Sequence, residues 1–412
     1  MFDEYGKRAK AASQLLSFSP DRQRIQALGL MASGLEKSIS ELLAHNQEDL
    51  KNAKEASLSE AMLDRLRLTE QRVRGMANGL RSLADSPDPL GRVLREIKHP
   101  KGLVITRVSV PLGVIAVIFE SRPNVTADSA GLCIRSGNAC ILRGGREAIS
   151  SNRFITQVLR AALKDSGLPE DCVQLLDDPG REGAEALMKM TGYIDLLIPR
   201  GGKGLITNVV ENARVPVLRT GEGVCHIYVD READVHMAAE VIHNAKTSRP
   251  SVCNACECIL VHRDIAQDAL PLIAKHLESH RVVLRGDERT RAILPQAEQA
   301  DESDWGREYL SLTLACKVVD SAQEAMEHIR LYGTGHSEAI ITENNETAER
   351  FLRSVDASAV YHNASTRFTD GEEFGFGAEI GISTQKLHAR GPVGLEQLTS
   401  YKYIVRGSGQ IR

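Results

Sequence analysis

The spacing of apolar residues predicts that the first 85 or so residues of the chain are helical. Strong helix formers dominate this segment, and Ile25, Leu28, Met31 and Leu35 recur at steps of three and four residues. Such steps place apolar side chains on one face of an amphipathic helix. We therefore predict a helical layer with a solvated charged face, and we find no catalytic pattern in it.

The pattern changes between residues 86 and 111, where prolines and glycines separate short β-branched runs. The tripeptide Pro100-Lys101-Gly102 favours a turn, and apolar residues alternate over residues 103–108. We predict an exposed β-hairpin. Such an arm suits a subunit contact or, alternatively, the edge of its own domain.

Short apolar runs then alternate with helical patterns over two further segments, residues 113–230 and 235 to about 370. This alternation predicts parallel, doubly wound α/β sheets with a binding crevice at the carboxyl ends of the strands. The strands are expected at residues 114–119, 139–142, 173–176, 194–198, 215–218, 226–229, 259–261, 282–284, 314–319, 339–341 and 359–361.

Two glycine pairs follow predicted strands, namely Gly144-Gly145 and Gly201-Gly202. Glycine lets backbone amides approach an anion, and the helix that opens after Gly202 adds favourable partial charge. Neither stretch matches the dinucleotide fingerprint or a P-loop. The residues alone leave phosphate binding and an ordinary turn as alternatives.

One cysteine stands out by its position. Cys253 follows Arg249-Pro250 and precedes a short apolar run that predicts a buried strand, so its loop suits a nucleophile. The alternative is packing, the usual role of an intracellular cysteine. Cys256 and Cys258 complete a C-x2-C-x-C pattern without a second Cys/His pair. We therefore predict packing roles for these two and no metal site.

Composition narrows the classes of partner. The 412 residues include 42% hydrophobic and 26% charged residues, which is typical of a globular chain with more than one core. A net charge of -4 and 4% aromatic residues give no reason to expect nucleic acid or an anionic membrane. No apolar run reaches about 20 residues, and the first residues lack a signal-peptide pattern. Eight scattered cysteines predict a reducing cytoplasm.

Three long motifs in order carry a family likeness. They read VPLGVIAVIFESRPNVTADSAGLCIRSGNACILRGGREAISSN, TSRPSVCNACE and FGFGAEIGISTQKLHARGPVGLEQLTSYKYIVRG. They resemble the gamma-glutamyl phosphate reductase family of the aldehyde dehydrogenase superfamily, and the likeness extends from about residue 10 onward. It implies an aldehyde dehydrogenase-like α/β fold, with two doubly wound parallel-sheet domains and a small β oligomerisation arm.

The resemblance also implies a reaction, the reduction of L-glutamyl 5-phosphate to L-glutamate 5-semialdehyde by NADPH with release of phosphate. This is the second step of proline biosynthesis from glutamate. The Cys253 thiolate would attack the acyl carbon to give a thioester, which hydride then reduces. The Cys253 amide would bind the oxyanion. The superfamily's second donor is an Asn, and here Arg122 lies nearest its position with Asn124 two residues on. We expect Arg122 or Asn124 to bind the acyl phosphate or its oxyanion.

The superfamily's hydrolytic members keep a general-base Glu in a Leu-Glu-Leu-Gly-Gly motif. The corresponding run here is VLRTGEG at residues 217–223, with Arg219 nearest the Glu position and Glu222 out of register. Loss of the base suits an enzyme whose acyl acceptor is phosphate rather than water, although a shifted Glu222 remains an alternative base.

The likeness assigns further binding residues. Arg143 and Arg146 would pair with the 2'-phosphate of NADPH, the Gly201-Gly202 turn would lie near the pyrophosphate, and Glu308 would hold the nicotinamide ribose.

His388 and Arg390 would shape the pocket for the substrate carboxylate, with a surface turn as the alternative. We expect a homodimer or higher homo-oligomer, and a functional association with glutamate 5-kinase stays open. The predicted domains are an NADPH-binding domain at 1–98, 113–234 and 371–388, a catalytic domain at 235–370, and an oligomerisation arm at 99–112 and 389–412.

Three other functions compete with this interpretation. A CoA-acylating aldehyde dehydrogenase would also lack the hydrolytic base, although no distinct CoA signature is present. A catalytically inactive cofactor-binding relative would carry an unreactive Cys253. A cysteine–metal binding module would bind stoichiometric zinc.

Overall fold

The computed structural model describes residues 2–178 and 180–412, which divide into two units. The first unit comprises Met1–Thr220, Gly375–Gly381 and Val393–Arg412, and the second comprises Gly221–Phe374 and Ile382–Pro392. Across the described residues, no helix combines the length and the apolar character that crossing a membrane requires.

The predicted helical layer is confirmed as five helices of the first unit. In α2 the side chains of Leu28, Met31 and Leu35 are fully buried, as the spacing predicts, whereas Ile25 near the start of the helix is 36% exposed. Side chains of Ser59 and Thr69 cap α4 and α5 by accepting backbone N–H bonds. The five are α1 (Phe2–Ser17), α2 (Asp21–Lys37), α3 (Ile39–Glu55), α4 (Glu60–Leu66) and α5 (Glu70–Asp85).

The predicted hairpin is also present, within a three-stranded antiparallel sheet that we call the arm. Its middle strand, β2, pairs with the tail of the chain on one side and with β1 on the other. Residue 99, where the arm was predicted to start, is therefore in the turn, and the preceding strand already belongs to the arm. The strands are β1 (Val93–Lys98), β2 (Val104–Pro111) and β16 (Thr399–Arg406).

A four-stranded parallel sheet in the order β5-β4-β3-β6 forms the centre of the first unit. The predicted strand at 215–218 is wrong, since only a single bridge joins Val217 to Leu197. Pro216 has no N–H to continue a ladder. The elements are β3 (Val114–Phe119), α6 (Asn124–Arg135), β4 (Ala139–Arg143), α7 (Ile149–Asp165), β5 (Val173–Leu175), α8 (Arg181–Lys189), β6 (Leu196–Arg200) and α9 (Lys203–Asn212).

The second unit contains a seven-stranded parallel sheet in the order β10-β9-β11-β8-β7-β12-β13. All seven residues of β8 are buried, which places the strand that follows Cys253 at the centre of the sheet. The elements are β7 (Cys225–Val229), α10 (Val235–Thr247), β8 (Cys256–His262), α11 (Ala266–Glu278), β9 (Val283–Gly286), α12 (Glu288–Ile293), β10 (Glu298–Gln299), β11 (Thr313–Val319), α13 (Ala322–Tyr332), β12 (Ser337–Ile341), α14 (Asn345–Ser354) and β13 (Ala359–His362).

Two segments group differently from the predicted domains. Strand β7 was placed in the NADPH-binding domain, but it pairs with β8 and β12 of the second unit. The predicted return at 371–388 is divided, because Gly375–Gly381 belongs to the first unit whereas β14 (Ile382–Ser383) belongs to the second. The strand β15 (Gly391–Pro392), which the prediction placed in the arm, also belongs to the second unit. An apolar run specifies a strand but not the neighbours with which it pairs.

Candidate active site

Cys253 lies on the loop between α10 and β8. All eight cysteines are among the described residues, and Cys253 is the one that is not buried. The helix before the loop is fixed at its start by Asp234, which accepts N–H bonds from His236 and Met237. A partly exposed cysteine on a loop between two packed elements suits the access that a nucleophile requires.

The backbone of Cys253 packs directly against Gly223. A Cβ on Gly223 would lie 1.4 Å from the Cys253 carbonyl oxygen, so no larger residue fits without a backbone shift. The Gly223 N–H donates a hydrogen bond to Glu308 Oε1 at 2.9 Å. The structure thus brings two of the predicted site residues, Cys253 and Glu308, to the same glycine.

A second cysteine supports this carbonyl from the protein interior. The Cys225 thiol donates to the Cys253 carbonyl oxygen at 3.2 Å and lies 3.8 Å from His336 Nδ1. Burial raises the pKa of the Cys225 thiol well above its ordinary value, and the Glu338 carboxyl raises it further. A thiol that keeps its proton is a hydrogen-bond donor and not a nucleophile.

Sequence reasoning missed the hydrogen bonds that fix Asn254, the residue after Cys253. Asn254 donates from Nδ2 to the carbonyls of Arg367 and Thr369 at 3.2 and 2.9 Å, and the Thr366 hydroxyl donates to the Asn254 carbonyl at 2.7 Å. The Arg367 guanidinium in turn donates to Asn254 Oδ1. The available signal was the run STRFT, which begins four positions after the end of a predicted strand, where functional loops occur in parallel sheets.

A buried ion pair joins the two ends of the Cys253 loop. Lys246, near the end of α10, donates to Glu257 Oε2 in β8 at 2.5 Å, and both side chains are fully buried. Burial raises the pKa of Glu257 to about 7, against the lowering effect of the Lys246 ammonium. Glu257 Oε1 also accepts from the Leu310 N–H at 3.3 Å, two residues after Glu308.

Arg122 lies just before α6 in the first unit, and Asn124 begins that helix. The Asn124 Nδ2 donates to Asp128 Oδ2 at 2.8 Å. Burial raises the pKa of Asp128 to about 6. Arg122 is half-buried in the connection from β3. One N–H of Asn124 is therefore engaged, and its role in the reaction stays a prediction.

In the Gly201-Gly202 turn, a backbone amide donates a hydrogen bond to a carboxylate of the chain itself. Glu120 Oε2 accepts from the Gly202 N–H at 2.9 Å, and a Cβ on Gly201 would lie 2.3 Å from the same oxygen. The turn opens α9, as the sequence predicted. An amide that binds a carboxylate oxygen here has the chemistry required to bind a phosphate oxygen.

A carboxylate also lies against the other glycine turn, where a Cβ on Gly145 would lie 2.2 Å from Glu147 Oε1. Glu147 Oε1 accepts from the backbone and the hydroxyl of Ser121, at 2.6 and 2.7 Å. Arg143 donates to the Gly180 carbonyl at 2.7 Å, and burial lowers the pKa of its guanidinium. Arg146 is exposed. Contact of the two arginines with a cofactor stays a prediction.

The two residues predicted to bind the substrate carboxylate, His388 and Arg390, lie in the second unit. His388 is exposed, and Arg390 Nη2 donates to Asp356 Oδ1 at 2.8 Å. Lys386 pairs with the same carboxylate. Arg219 is exposed, whereas Glu222 is half-buried. Substrate binding by His388 and Arg390 stays a prediction, as does the alternative of Glu222 as a base.

Cys256 and Cys258 are fully buried packing residues of β8. Cys258 also lies in a buried group with His226 and His328, whose nitrogen and sulfur ligand atoms are all within 4.8 Å of one another. The Lys317 ammonium lies 3.5 Å from His328 Nδ1, and a cation at that distance opposes a metal ion. We assign no metal to this group.

Comparison with known proteins places the chain in the family that its sequence motifs resemble. The family model described as the aldehyde dehydrogenase family matches residues 2–304. The chain is 57% identical over 407 residues to the gamma-glutamyl phosphate reductase of Moorella thermoacetica, covering 99% of this chain and 97% of that protein.

Solved structures agree with the sequence comparison. The crystal structure of gamma-glutamyl phosphate reductase from Thermotoga maritima superposes with a TM-score of 0.98 at 46% identity, covering 100% of this chain and 99% of the other. An acetylating aldehyde dehydrogenase from Geobacillus thermoglucosidasius gives a TM-score of 0.71 at 17% identity, covering 100% and 97% of the chains, and shares the fold alone.

Proposed function

The chain belongs to the aldehyde dehydrogenase family and, within it, to the gamma-glutamyl phosphate reductases, and from this premise we propose that it reduces L-glutamyl 5-phosphate to L-glutamate 5-semialdehyde. The reaction releases phosphate and is the second step of proline biosynthesis from glutamate. The observation that carries the proposal is the half-exposed Cys253, whose backbone is fixed by Gly223 and Cys225.

The proposed chemistry starts at the sulfur of Cys253. The thiolate forms a bond to the acyl carbon, the bond from that carbon to the phosphate oxygen breaks, and phosphate leaves with the electron pair. The product is a thioester on Cys253. When bound, NADPH supplies the hydride that converts this acyl group to the aldehyde and releases the thiolate.

The oxyanion of each tetrahedral intermediate requires hydrogen-bond donors. We assign the Cys253 backbone amide as one donor, supported by the fixed position of this residue against Gly223. Arg122 and Asn124 are the two candidates for the second donor. Asn124 gives one N–H to Asp128 and keeps a second for a ligand, whereas Arg122 adds a positive charge.

We assign cofactor binding to the first unit, together with Glu308 for the nicotinamide ribose. The Gly201-Gly202 turn fits a pyrophosphate, because the Gly202 amide already binds an anionic oxygen and a Cβ on Gly201 would crowd that oxygen. Arg143 and Arg146 follow β4, and guanidinium groups favour the 2'-phosphate that distinguishes NADPH from NADH.

The remaining proposals concern the substrate and the assembly. His388 and Arg390 would bind the carboxylate of the glutamyl substrate. The arm would join subunits in a homodimer or larger homo-oligomer, and functional association with glutamate 5-kinase would deliver the unstable acyl phosphate. The eight free thiols suit the reducing environment of the cytoplasm.

The reverse reaction provides the test. We expect glutamate 5-semialdehyde and NADP to yield NADPH only when inorganic phosphate is present, as followed by NADPH absorbance. Cys253→Ala should lower the rate at least about 1,000-fold because the covalent route is lost. The control is Cys172→Ala, at a buried thiol of the first unit, which should keep its activity.

Other outcomes would replace the proposal. Turnover that requires CoA in place of phosphate would make the chain an acylating aldehyde dehydrogenase, and turnover with water alone would make it a hydrolytic one. An inactive wild type with an unreactive Cys253 would indicate a cofactor-binding relative, and stoichiometric zinc would indicate a metal-binding module.

A further inference from the structure

Arg367 is held at the Cys253 loop from both sides. It lies in a 3-10 turn, Thr366–Phe368, that follows β13. Its Nε donates to the Ser248 hydroxyl at 3.1 Å, and its Nη1 donates to Asn254 Oδ1. Ser248 precedes Cys253 in the chain and Asn254 follows it directly, so the guanidinium is fixed beside the nucleophile's own loop.

These two hydrogen bonds leave much of the guanidinium's donor capacity for a ligand. An arginine side chain has five N–H donors in a planar fork, and the bonds to Ser248 and Asn254 use two of them. Paired N–H groups of this kind match the oxygens of a phosphate, which accept two parallel bonds. The side chain is therefore both positioned by the protein and able to bind an oxyanion.

The charges around Arg367 favour an anion with more than one negative charge. Burial lowers the pKa of Arg367, and the neighbouring Arg249 guanidinium lowers it further. Asp370, Cys253 and Cys225 act in the opposite direction. Arg249 directly follows Ser248 and is exposed. The two guanidinium groups repel each other. An anion with two negative charges that binds near both of them is therefore stabilised more than it would be by either group alone.

We propose that Arg367, assisted by Arg249, binds the phosphoryl group of the acyl phosphate substrate. The inference rests on the proposed function and adds a subsite to it. As the sulfur–carbon bond of the thioester forms, the carbon–oxygen bond to phosphate breaks, and its electron pair stays on the departing phosphate oxygen. Arg367 stabilises that oxygen's charge, and in the reverse direction it holds inorganic phosphate for attack on the thioester.

The position of Arg367 favours the phosphoryl group over the substrate carboxylate. Asn254, to which the guanidinium is bonded, is the residue next to Cys253. The phosphoryl group is attached to the carbon that Cys253 attacks, whereas the carboxylate lies at the far end of the substrate. A cation at the Cys253 loop is therefore better placed to bind the leaving phosphate than to bind the substrate carboxylate.

The test is the reverse reaction with inorganic phosphate and glutamate 5-semialdehyde titrated separately. We expect Arg367→Gln to raise the KM for phosphate at least about tenfold through loss of charge-assisted bonds, with little change in the KM for the semialdehyde. Arg367→Lys should recover part of the loss, because it restores the charge without the fork. Arg249→Gln should raise the phosphate KM less, since an exposed charge is screened.

The matched control is Arg353→Gln, an exposed arginine of α14, which should leave both KM values unchanged. An unchanged phosphate KM in Arg367→Gln would overturn the subsite, and a selective rise in the semialdehyde KM would assign Arg367 to the carboxylate instead. If Arg367→Gln does not fold, the KM for phosphate and the KM for the semialdehyde are compared in Arg367→Lys instead, and the same two outcomes decide. A wild type whose turnover does not depend on phosphate would refute the proposed function itself.

Discussion

At the residue scale, Gly223 controls how closely two backbone segments approach at Cys253. Its Cα hydrogens face the Cys253 carbonyl, where the Cβ of any other residue would lie 1.4 Å from the oxygen. The neighbouring atom belongs to the backbone, so a rotamer change cannot relieve the overlap. The loop must move, and with it the amide that we assign to the oxyanion.

We expect Gly223→Ala to lower kcat/KM by at least about 100-fold and the free energy of unfolding by about 1–3 kcal/mol, because overpacking displaces the loop. Steady-state kinetics and urea denaturation measure the two effects. The control is Gly75→Ala in α5, where a Cβ meets nothing within 4 Å and helix propensity predicts a slight gain in stability. A Gly223→Ala variant with wild-type kinetics would contradict the packing described here.

At the element scale, the Lys246–Glu257 pair ties the end of α10 to the start of β8. The two elements are continuous only through the Cys253 loop, and this fully buried ion pair closes that loop. Glu257 also accepts from the Leu310 N–H, in the segment that carries Glu308. The pair therefore links the nucleophile loop with the segment assigned to the nicotinamide ribose.

Removing one partner of a buried ion pair leaves the charge of the other buried without an opposite charge. We expect Lys246→Met to lower the free energy of unfolding by about 3–5 kcal/mol, as measured by the urea midpoint with the slope unchanged. The double variant Lys246→Met/Glu257→Leu should be less destabilised than the single one, because no charge remains in the core. Equal losses in the single and double variants would show that packing, not charge, dominates.

At the scale of the whole molecule, the arm leaves an apolar stripe exposed to solvent. Ile105 of β2 is opposite Ile97 on one side and Val405 on the other, so the three side chains share one face of the sheet. Ile97 is 37% exposed and Val405 is 55% exposed. Tyr403 lies on the same face, two residues from Val405. Such a stripe suits burial against a second subunit.

We expect Val405→Glu to shift the protein toward a smaller assembly, since a carboxylate would have to be buried in the proposed subunit contact. Light scattering coupled to size-exclusion chromatography measures the molar mass. Lys402→Glu, an exposed position on the opposite face of the same strand, is the control and should leave the mass unchanged. If the two variants and the wild type have the same mass, the stripe is not the contact.

The sequence by itself predicted most of the elements and drew attention to Cys253. The helical spacing of Leu28, Met31 and Leu35 and the apolar run of β3 agree with the structure because burial repeats with the local period of a helix or a strand. Its position between a predicted helix and a predicted strand made Cys253 a candidate nucleophile with packing as the alternative, and the structure leaves it the one unburied cysteine among the eight. Each of these features depends on residues that are close in the sequence.

Only the tertiary structure decided which distant segments meet. The sheet to which β7 belongs depends on pairing with β12, and one of the hydrogen bonds that fix Asn254 comes from Arg367, 113 positions away. Likewise, Glu120 reaches the Gly202 amide from 82 positions earlier. Local patterns carry no record of such partners, because strand pairing and buried polar contacts are set by how the whole chain packs.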